Sequence, residues 1–233
     1  SHLERERTLF ARGIKVLSLF FIDEVANYKQ YDAAGQAVNG VYGDMFEEEY
    51  RGVVDSLQLG MHEEDFKQYL AGIRVESTHA GYFSIDKKSH RFVDSTLGDK
   101  KARTSDDADA YDLIMKDKER LLDRKEPVRF IFSHSALREG WDNPNVFQIC
   151  TLKKQSESEN RSRQEIGRGL RLSVNQNGER MDVNLLGEDV QSINQLTVIT
   201  DWGFEPFVKA YQEGLAEAVA DRRERAGHPG HPV

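Results

Sequence analysis

The chain has 233 residues, the length of one large domain or two small ones, and 38% of them are hydrophobic, which is enough to build a core. The 32 basic and 40 acidic residues give a net charge of −8, so no global positive field attracts nucleic acid or anionic lipid, and phosphate binding has to be local. One cysteine, Cys150, excludes an internal disulfide framework, and the lack of a long apolar run or signal segment predicts a cytoplasmic protein without a membrane partner.

The first half of the chain predicts two buried strands with helices between them. Residues 14–22 are nearly all apolar, as is typical of a strand buried on both faces of a parallel sheet. Helices are predicted at 45–57 and 63–70. Residues 73–78 alternate toward His79-Ala80-Gly81, which predicts a second strand that ends in a turn capped by the histidine.

The second half continues the alternation of strands and helices. Residues 86–109 are rich in Lys, Asp, Ser and Thr and predict an exposed insertion in the form of a loose hairpin. Ser105-Asp106-Asp107 predicts the start of a helix that runs to Leu122 and stops at Glu126-Pro127. The remaining predicted elements are strands at 128–132, 146–152 and 196–200, a helix at 205–225 and a disordered tail at 226–233. This βαβ rhythm predicts an α/β fold with a mainly parallel sheet.

Two polar stretches, residues 133–144 and 161–171, follow predicted strands, where parallel sheets bind their ligands. The second is a predicted helix, in which Gln164, Arg168 and Arg171 are spaced i, i+4 and i+7 and share one face. An amide and two guanidinium groups on one face suit a polyphosphate, because arginine binds phosphate oxygens through two parallel hydrogen bonds. The alternative is a solvated basic helix that pairs with acidic surface groups.

The two stretches resemble sequence motifs of superfamily 2 helicases. Gln164-x-x-Gly167-Arg168-x-x-Arg171 resembles motif VI, and Glu139-Gly140-Trp141-Asp142-x-Pro144 resembles motif V, in the order found in the second RecA-like domain of these motors. Residues 17–23 and 130–147 are similar to the Res subunits of type III restriction enzymes. The resemblance covers residues 3–215.

The resemblance implies a RecA-like, P-loop NTPase-type α/β fold with helices on both faces of the sheet, forming a helicase C-terminal domain over residues 1–225. The chain contains no Gly-x-x-x-x-Gly-Lys-Ser/Thr sequence, so this domain lacks its own P-loop, and ATP and Mg²⁺ are expected to bind mainly to a preceding domain. The resemblance implies that the complete protein is an ATP-dependent type III site-specific deoxyribonuclease with a DNA translocase or helicase motor. The isolated fragment, the present chain, is expected to be inactive. The implied partners are double-stranded DNA, the preceding P-loop domain, a downstream nuclease domain and the methyltransferase (Mod) subunit.

The family's functional residues transfer to this chain position by position. Arg168 and Arg171 match the motif VI arginines that neutralise the transferring γ-phosphoryl group, and they are the expected catalytic residues. The residues expected to bind ATP are Gln164, Gly140, Asp142 and Gly167. The expected donors to DNA phosphates are Ser133, His134 and Ser135. No metal ligand is expected in this chain.

Two further residues have plainer interpretations. Asp23 ends a sequence that imitates a Walker B strand, but no phosphate loop precedes it, so it is not expected to bind Mg²⁺. Cys150 lies inside a predicted strand and is expected to be a small buried hydrophobe. Two alternatives for the whole chain remain: another superfamily 2 motor, such as a type I restriction motor or a repair helicase, and a non-catalytic interaction module on a RecA-like fold.

Overall fold

The computed structural model of the chain describes residues 2–85, 91–93, 108–134, 143–152, 171–199 and the single positions 167, 209, 212 and 213. The helices are α1 His2–Phe10, α2 Val41–Ser56, α3 Glu64–Ala71, α4 Ala108–Met115 and α5 Lys118–Leu122, followed by the short turns Val183–Leu186 and Val190–Ile193. The strands are β1 Leu17–Phe21, β2 Lys29–Tyr31, β3 Ala37–Asn39, β4 His79–Tyr82, β5 Ser84–Ile85, β6 Phe92–Val93, β7 Phe130–Ser133, β8 Val146–Thr151 and β9 Thr197–Ile199.

Five of these strands form one sheet in the order β4–β7–β1–β8–β9, and every neighbouring pair is parallel. Leu19 of β1 lies opposite Ile131 of β7 on one side and Ile149 of β8 on the other. The strands predicted at 14–22, 128–132, 146–152 and 196–200 are the β1, β7, β8 and β9 of this sheet. The predicted α/β class with a mainly parallel sheet is therefore confirmed.

Alternate residues of the central strands point to opposite faces of the sheet, and helices cover both faces. On one face α4 and α5 pack against the strands through Leu17, Leu19, Phe21, Leu113, Ile114, Leu121, Ile131 and Ile149. On the other face α1, α2 and α3 pack through Leu3, Tyr50, Phe66, Leu70, Phe130 and Phe132. In the part of the chain that the structure describes, no helix is both long enough and apolar enough to cross a membrane.

The strand predicted at 73–78 is wrong, because the strand in this region begins where the turn was predicted. Val75–Ser77 is a 3₁₀ turn, closed by the amide and the hydroxyl of Thr78, which donate to the Val75 carbonyl oxygen at 2.9 and 2.7 Å. β4 then starts at His79. Gly81 lies in this strand, and the position favours glycine because a Cβ there would lie 2.4 Å from the Phe83 ring.

The helix predicted from 105 to 122 is interrupted, since α4 ends at Met115 and α5 begins at Lys118. The Asp117 carboxylate accepts a hydrogen bond from the Arg120 amide at 3.2 Å and so caps α5. The break leaves the predicted apolar face in place, because both helices contribute buried residues to the same cluster.

Two predicted segments are described only in part. The antiparallel pair β5 and β6 stands at the start of the predicted 86–109 insertion, with Ile85 opposite Phe92, but residues 86–90 and 94–107 lie outside the described residues. In the helix predicted at 205–225, positions 209, 212 and 213 are helical and the others are not described. The tail predicted at 226–233 also lies outside the described residues.

A buried ion pair joins α1 to the residue before β7. The Arg129 guanidinium donates to the Glu6 carboxylate at 2.6 Å, and the two side chains are 0% and 2% exposed. The rings of Tyr50 and Tyr69 flank the guanidinium, with centroids 5.9 and 5.3 Å away. Burial raises the pKa of Glu6, and the Arg129 charge opposes that shift.

Lys15 is a second buried cation next to this pair. Its Nζ donates to the carbonyl oxygens of Asp123 and Glu126 at 2.9 and 2.6 Å, which ties the segment before β1 to the loop after α5. Burial lowers the pKa of Lys15 to about 7, although the Glu126 carboxylate acts in the opposite direction. The side-chain nitrogen of Lys15 is therefore bonded to two uncharged carbonyl groups, and its buried surroundings favour the neutral amine over the ammonium form.

Replacing Glu6→Ala is expected to lower the free energy of unfolding by about 3–5 kcal/mol, because the Arg129 charge is left buried without its partner. Urea unfolding of the chain, followed by circular dichroism, measures the loss. Glu63→Ala is the control, since Glu63 pairs with Arg7 at the surface, and a much smaller loss is expected. The double variant Glu6→Leu/Arg129→Met is expected to recover much of the stability; equal losses in the single and double variants would contradict the charge explanation.

The stability of the chain is expected to rise with pH through the titration of Lys15. The pKa of this group is about 7 in the folded chain and 10.5 ordinarily, so between these values the unfolded chain binds more protons and rising pH favours the folded state. Urea unfolding of wild type and Lys15→Met between about pH 6 and pH 10 tests this linkage. The stability of wild type relative to the variant should be constant below about pH 6 and increase above pH 7; a difference that does not change with pH would show that Lys15 keeps its ordinary pKa.

Candidate nucleotide and nucleic-acid interface

The carboxyl ends of the five parallel strands meet at one edge of the sheet, which is where open α/β sheets bind their ligands. β1 ends at Phe21, and Asp23 follows it. β7, the neighbour of β1, ends at Ser133, and His134 follows. Because Phe21 and Ser133 are paired in register, the first of the two polar stretches begins beside the end of β1, two residues before Asp23. This edge is the candidate site.

Ser133 and His134 differ in their access to this edge. Ser133 is buried, with 2% exposed, and its carbonyl oxygen accepts from the Ile22 amide at 2.9 Å. His134 is half-buried, so its side chain is the better placed of the two to meet a ligand from solvent. Ser135 lies outside the described residues. Contact of these three residues with DNA stays a prediction.

Asp23 organises the chain that leaves β1. Its Oδ1 accepts from the Glu24 amide at 2.8 Å and from Asn27 Nδ2 at 2.9 Å, at the start of the 3₁₀ turn Val25–Asn27. Burial acts to raise the pKa of Asp23, but the hydrogen bonds from Asn27 and the backbone outweigh it and lower the pKa. Among the residues that the structure describes, no three His, Cys, Asp or Glu side chains are arranged to hold a metal ion.

The second polar stretch is described at two of its positions. Gly167 is helical and half-buried, whereas Arg171 is exposed and lies in a bend. Arg171 is therefore not helical itself, and the shared face of Gln164, Arg168 and Arg171 stays a prediction. The other predicted nucleotide residues, Gln164, Arg168, Gly140 and Asp142, lie outside the described residues.

Asn145 connects the segments that follow the two polar stretches. Its Oδ1 accepts from the Val174 amide and its Nδ2 donates to the Val174 carbonyl, both at 2.8 Å. Asn145 is fully buried and directly precedes β8. A single side chain thus fixes the end of the first stretch, residues 133–144, against the residues just after Arg171.

A second asparagine holds the same segment from the other side. Asn194 Oδ1 accepts from the Ser173 amide at 2.7 Å and from its hydroxyl at 2.9 Å, while Asn194 Nδ2 donates to the carbonyl groups of Met181 and Val190. The chain after Arg171 is therefore anchored on both sides. The sequence analysis does not identify either asparagine as an anchor. Asn145 belongs to the stretch 130–147 that resembles Res subunits, and nothing in the local sequence marks Asn194.

His79 is also placed differently from its prediction. It is buried in β4, where its Nδ1 lies 2.8 Å from the Tyr28 hydroxyl and its Nε2 lies 3.4 Å from Glu47 Oε1. Burial lowers the pKa of His79 and outweighs the Glu47 carboxylate, which raises it. The predicted role as a turn cap is wrong because these contacts tie β4 to α2 and to the segment after β1.

Cys150 agrees with its prediction. It lies inside β8, is 8% exposed, and pairs in register with Phe20 of β1. Burial raises the pKa of the Cys150 thiol to about 11. A thiol with this pKa is protonated at neutral pH, so Cys150 packs as a small hydrophobe.

The parallel sheet, its two helical layers and the polar segments at its carboxyl edge define an α/β domain of the RecA-like class. No protein-family model matches the chain. It is 39% identical over 176 residues to the type III restriction-modification enzyme EcoP15I Res subunit of Escherichia coli, and 40% identical over 176 residues to the EcoPI Res subunit of Escherichia phage P1. Each of these matches covers 75% of this chain and 16% of the relative.

A third relative is the StyLTI Res subunit of Salmonella typhimurium strain LT2, which is 34% identical over 203 residues, 77% of this chain and 19% of the relative. The chain is therefore a homologue of one stretch of the Res subunits of type III restriction-modification enzymes. It spans less than a fifth of the length of these relatives.

Replacing Asn145→Ala is expected to lower the free energy of unfolding by about 1–3 kcal/mol, because two backbone groups of Val174 lose their buried partner. Urea unfolding measures the loss, and hydrogen exchange is expected to become faster at the Val174 amide. Asn184→Ala is the control, since the Asn184 side chain is exposed and bonds only to nearby Asp182 in the described structure. Unchanged exchange at Val174 would refute the anchoring role.

Proposed function

We propose that this chain is the second RecA-like domain of the motor in a type III restriction enzyme Res subunit, where it takes part in ATP hydrolysis and in holding double-stranded DNA. The observation that carries the proposal is the 34–40% identity to Res subunits over about three quarters of the chain. The sequences resembling motifs V and VI support it, because the residues that follow both are joined by Asn145.

In this proposal ATP and Mg²⁺ bind mainly to a preceding P-loop domain, since this chain contains no P-loop sequence. Arg168 and Arg171 neutralise the charge that spreads over the γ-phosphoryl oxygens, because the planar guanidinium group of arginine can bind two phosphate oxygens at once. Gln164, Gly140, Asp142 and Gly167 contact the nucleotide from this side. The exposure of Arg171 and the anchoring of Ser173 behind it favour this role, because an arginine finger has to reach a neighbouring domain from a fixed base.

DNA is held at the same edge of the sheet. Ser133, His134 and Ser135 are the proposed donors to DNA phosphates, with His134 the most accessible of the two that are described. The net charge of −8 is compatible with this role because only a few local donors are needed, and the affinity contributed by this domain is then weak and sensitive to salt. A downstream nuclease domain and the methyltransferase (Mod) subunit complete the proposed cytoplasmic enzyme, an ATP-dependent site-specific deoxyribonuclease.

Arg168→Ala in the complete gene product is expected to lower DNA-stimulated ATP turnover by about 10³-fold or more, the usual contribution of an arginine finger. The assay contains the methyltransferase partner and duplex DNA, and it follows phosphate release. Arg74→Ala is the matched control, because Arg74 is 82% exposed, pairs with Glu76 and is remote from both polar stretches in sequence. The isolated 233-residue chain is expected to be inactive.

ATP turnover in Arg168→Ala equal to that of wild type would refute the finger role. In that case the chain is better explained as an interaction module on a RecA-like fold. Equal losses in Arg168→Ala and Arg74→Ala would instead indicate a general loss of folding, which circular dichroism of both variants identifies.

A further inference from the structure

A cleft of about 410 Å³ lies where the chain that leaves β1 meets the hairpin of β5 and β6. Its walls are formed by Val25, Ala26, Lys29, Gln30, Tyr31, Arg91 and Phe92. The first five residues belong to the 3₁₀ turn and strand that follow β1, and the last two belong to the hairpin that follows β4. No sequence motif pointed to this cleft.

Contacts across the cleft hold its two walls together. The Tyr31 hydroxyl accepts a hydrogen bond from the Phe92 amide at 2.9 Å, and the Arg91 guanidinium lies over the Tyr31 ring, 5.0 Å from its centroid. Phe92 is half-buried and packs edge-on against the buried Phe83 at 5.4 Å. The two walls of the cleft are therefore held together by specific contacts, and the Tyr31 ring positions the Arg91 guanidinium.

The charge of the residues that line the cleft is opposite in sign to the net charge of the chain. The two charged residues in the lining, Lys29 and Arg91, are both cationic, while the chain carries a net charge of −8. Their described contacts are with neutral groups, because Lys29 Nζ lies 3.5 Å from Asn39 Oδ1 and the Arg91 guanidinium lies over the Tyr31 ring. A guanidinium in a cation–π contact can still bind an anion through its N–H groups.

The position of the cleft indicates which anion it meets. β1 and β4 are the two neighbours of β7 in the sheet, and the two walls of the cleft follow their carboxyl ends. The cleft therefore belongs to the same edge as His134, which follows β7. A polyanion that runs along this edge can contact both places.

We propose that this cleft binds the phosphodiester backbone of DNA, with Lys29 and Arg91 each contacting a phosphate group. The proposal rests on the proposed function, which supplies DNA as the polymer, and it assigns a contact that lies outside the residues of motifs V and VI. Lys29 acts as a point charge, and the guanidinium of Arg91 binds phosphate oxygens through two parallel N–H groups.

The test compares DNA binding by the complete gene product with and without these cations. Each phosphate contact contributes about −0.9 to the slope of log K against log salt concentration, so Lys29→Gln/Arg91→Gln is expected to make the slope less negative by about 1.8. Fluorescence anisotropy of a labelled duplex at several salt concentrations measures the slope. Lys67→Gln/Lys125→Gln removes the same charge from exposed positions elsewhere and is expected to leave the slope unchanged.

A third variant, Arg91→Lys, separates charge from geometry. It keeps the cation but loses the planar fork, so the slope is expected to stay near that of wild type while the affinity falls. An unchanged slope in Lys29→Gln/Arg91→Gln would overturn the proposal. The proposal would also be overturned if Lys29→Gln/Arg91→Gln binds DNA like wild type but no longer binds the methyltransferase partner. The cleft would then be a protein contact.

Failure of the proposed function gives a different result. If Arg168→Ala keeps full ATP turnover but Lys29→Gln/Arg91→Gln shows the weaker salt dependence, the cleft binds DNA in a protein that is not the proposed motor. If Arg168→Ala loses ATP turnover and the salt slope of the cleft variant stays that of wild type, the motor assignment stands and the cleft proposal falls.

Discussion

The buried ion pair between Glu6 and Arg129 is the interaction on which the arrangement of the sheet depends. Arg129 stands directly before β7 and has no exposed surface. Its amide donates to the Thr78 carbonyl and its own carbonyl accepts from the Ser18 amide, so its backbone connects the strands on both sides of β7. The side chain connects the same point to α1. An uncompensated charge at this position is costly, so the pairing holds α1 against the sheet.

A series of hydrogen bonds that starts at His2 of α1 extends this connection across β1 to β8. His2 Nδ1 lies 2.7 Å from the Ser18 hydroxyl, which donates to Gln148 Oε1 of β8 at 3.2 Å. Burial lowers the pKa of His2 well below its ordinary value, and the Arg129 charge acts in the same direction, so the ring is neutral at physiological pH. Together with Lys15, these groups fix the register at the amino ends of β1, β7 and β8 through specific hydrogen bonds, which apolar packing alone does not provide.

A rigid sheet presents its functional segments at the opposite edge. The chain after β1 is shaped by Asp23, the chain after Arg171 is anchored by Asn145 and Asn194, and the hairpin after β4 is joined to the β1 side through Tyr31. Each anchor is a side chain that bonds to the backbone of a segment outside the main sheet. Binding segments can therefore be exposed and still have a defined position, which is what both a nucleotide contact and a DNA contact require.

The elements that sequence reasoning found are those whose own residues carry the signal. β1 and β8 are runs of apolar residues because both faces of a central parallel strand are buried, and α2 and α3 have one apolar side. β4 gave no such signal. It begins with a histidine and contains a glycine, and the surroundings of these two residues include Tyr28 and Glu47, which come from other parts of the chain.

The candidate site likewise combines features that local sequence reveals with contacts that only the folded chain makes. The sequence by itself determined the α/β class, the positions of four of the five sheet strands along the chain, the resemblance to Res subunits and the residue types that suit phosphate. Local periodicity and short motifs are properties of neighbouring residues. Only the tertiary structure decided that Glu6 meets Arg129, that Asn145 holds Val174, and that Lys29 and Arg91 share a cleft. Those contacts join residues far apart in the chain, and their geometry exists only after the sheet has assembled.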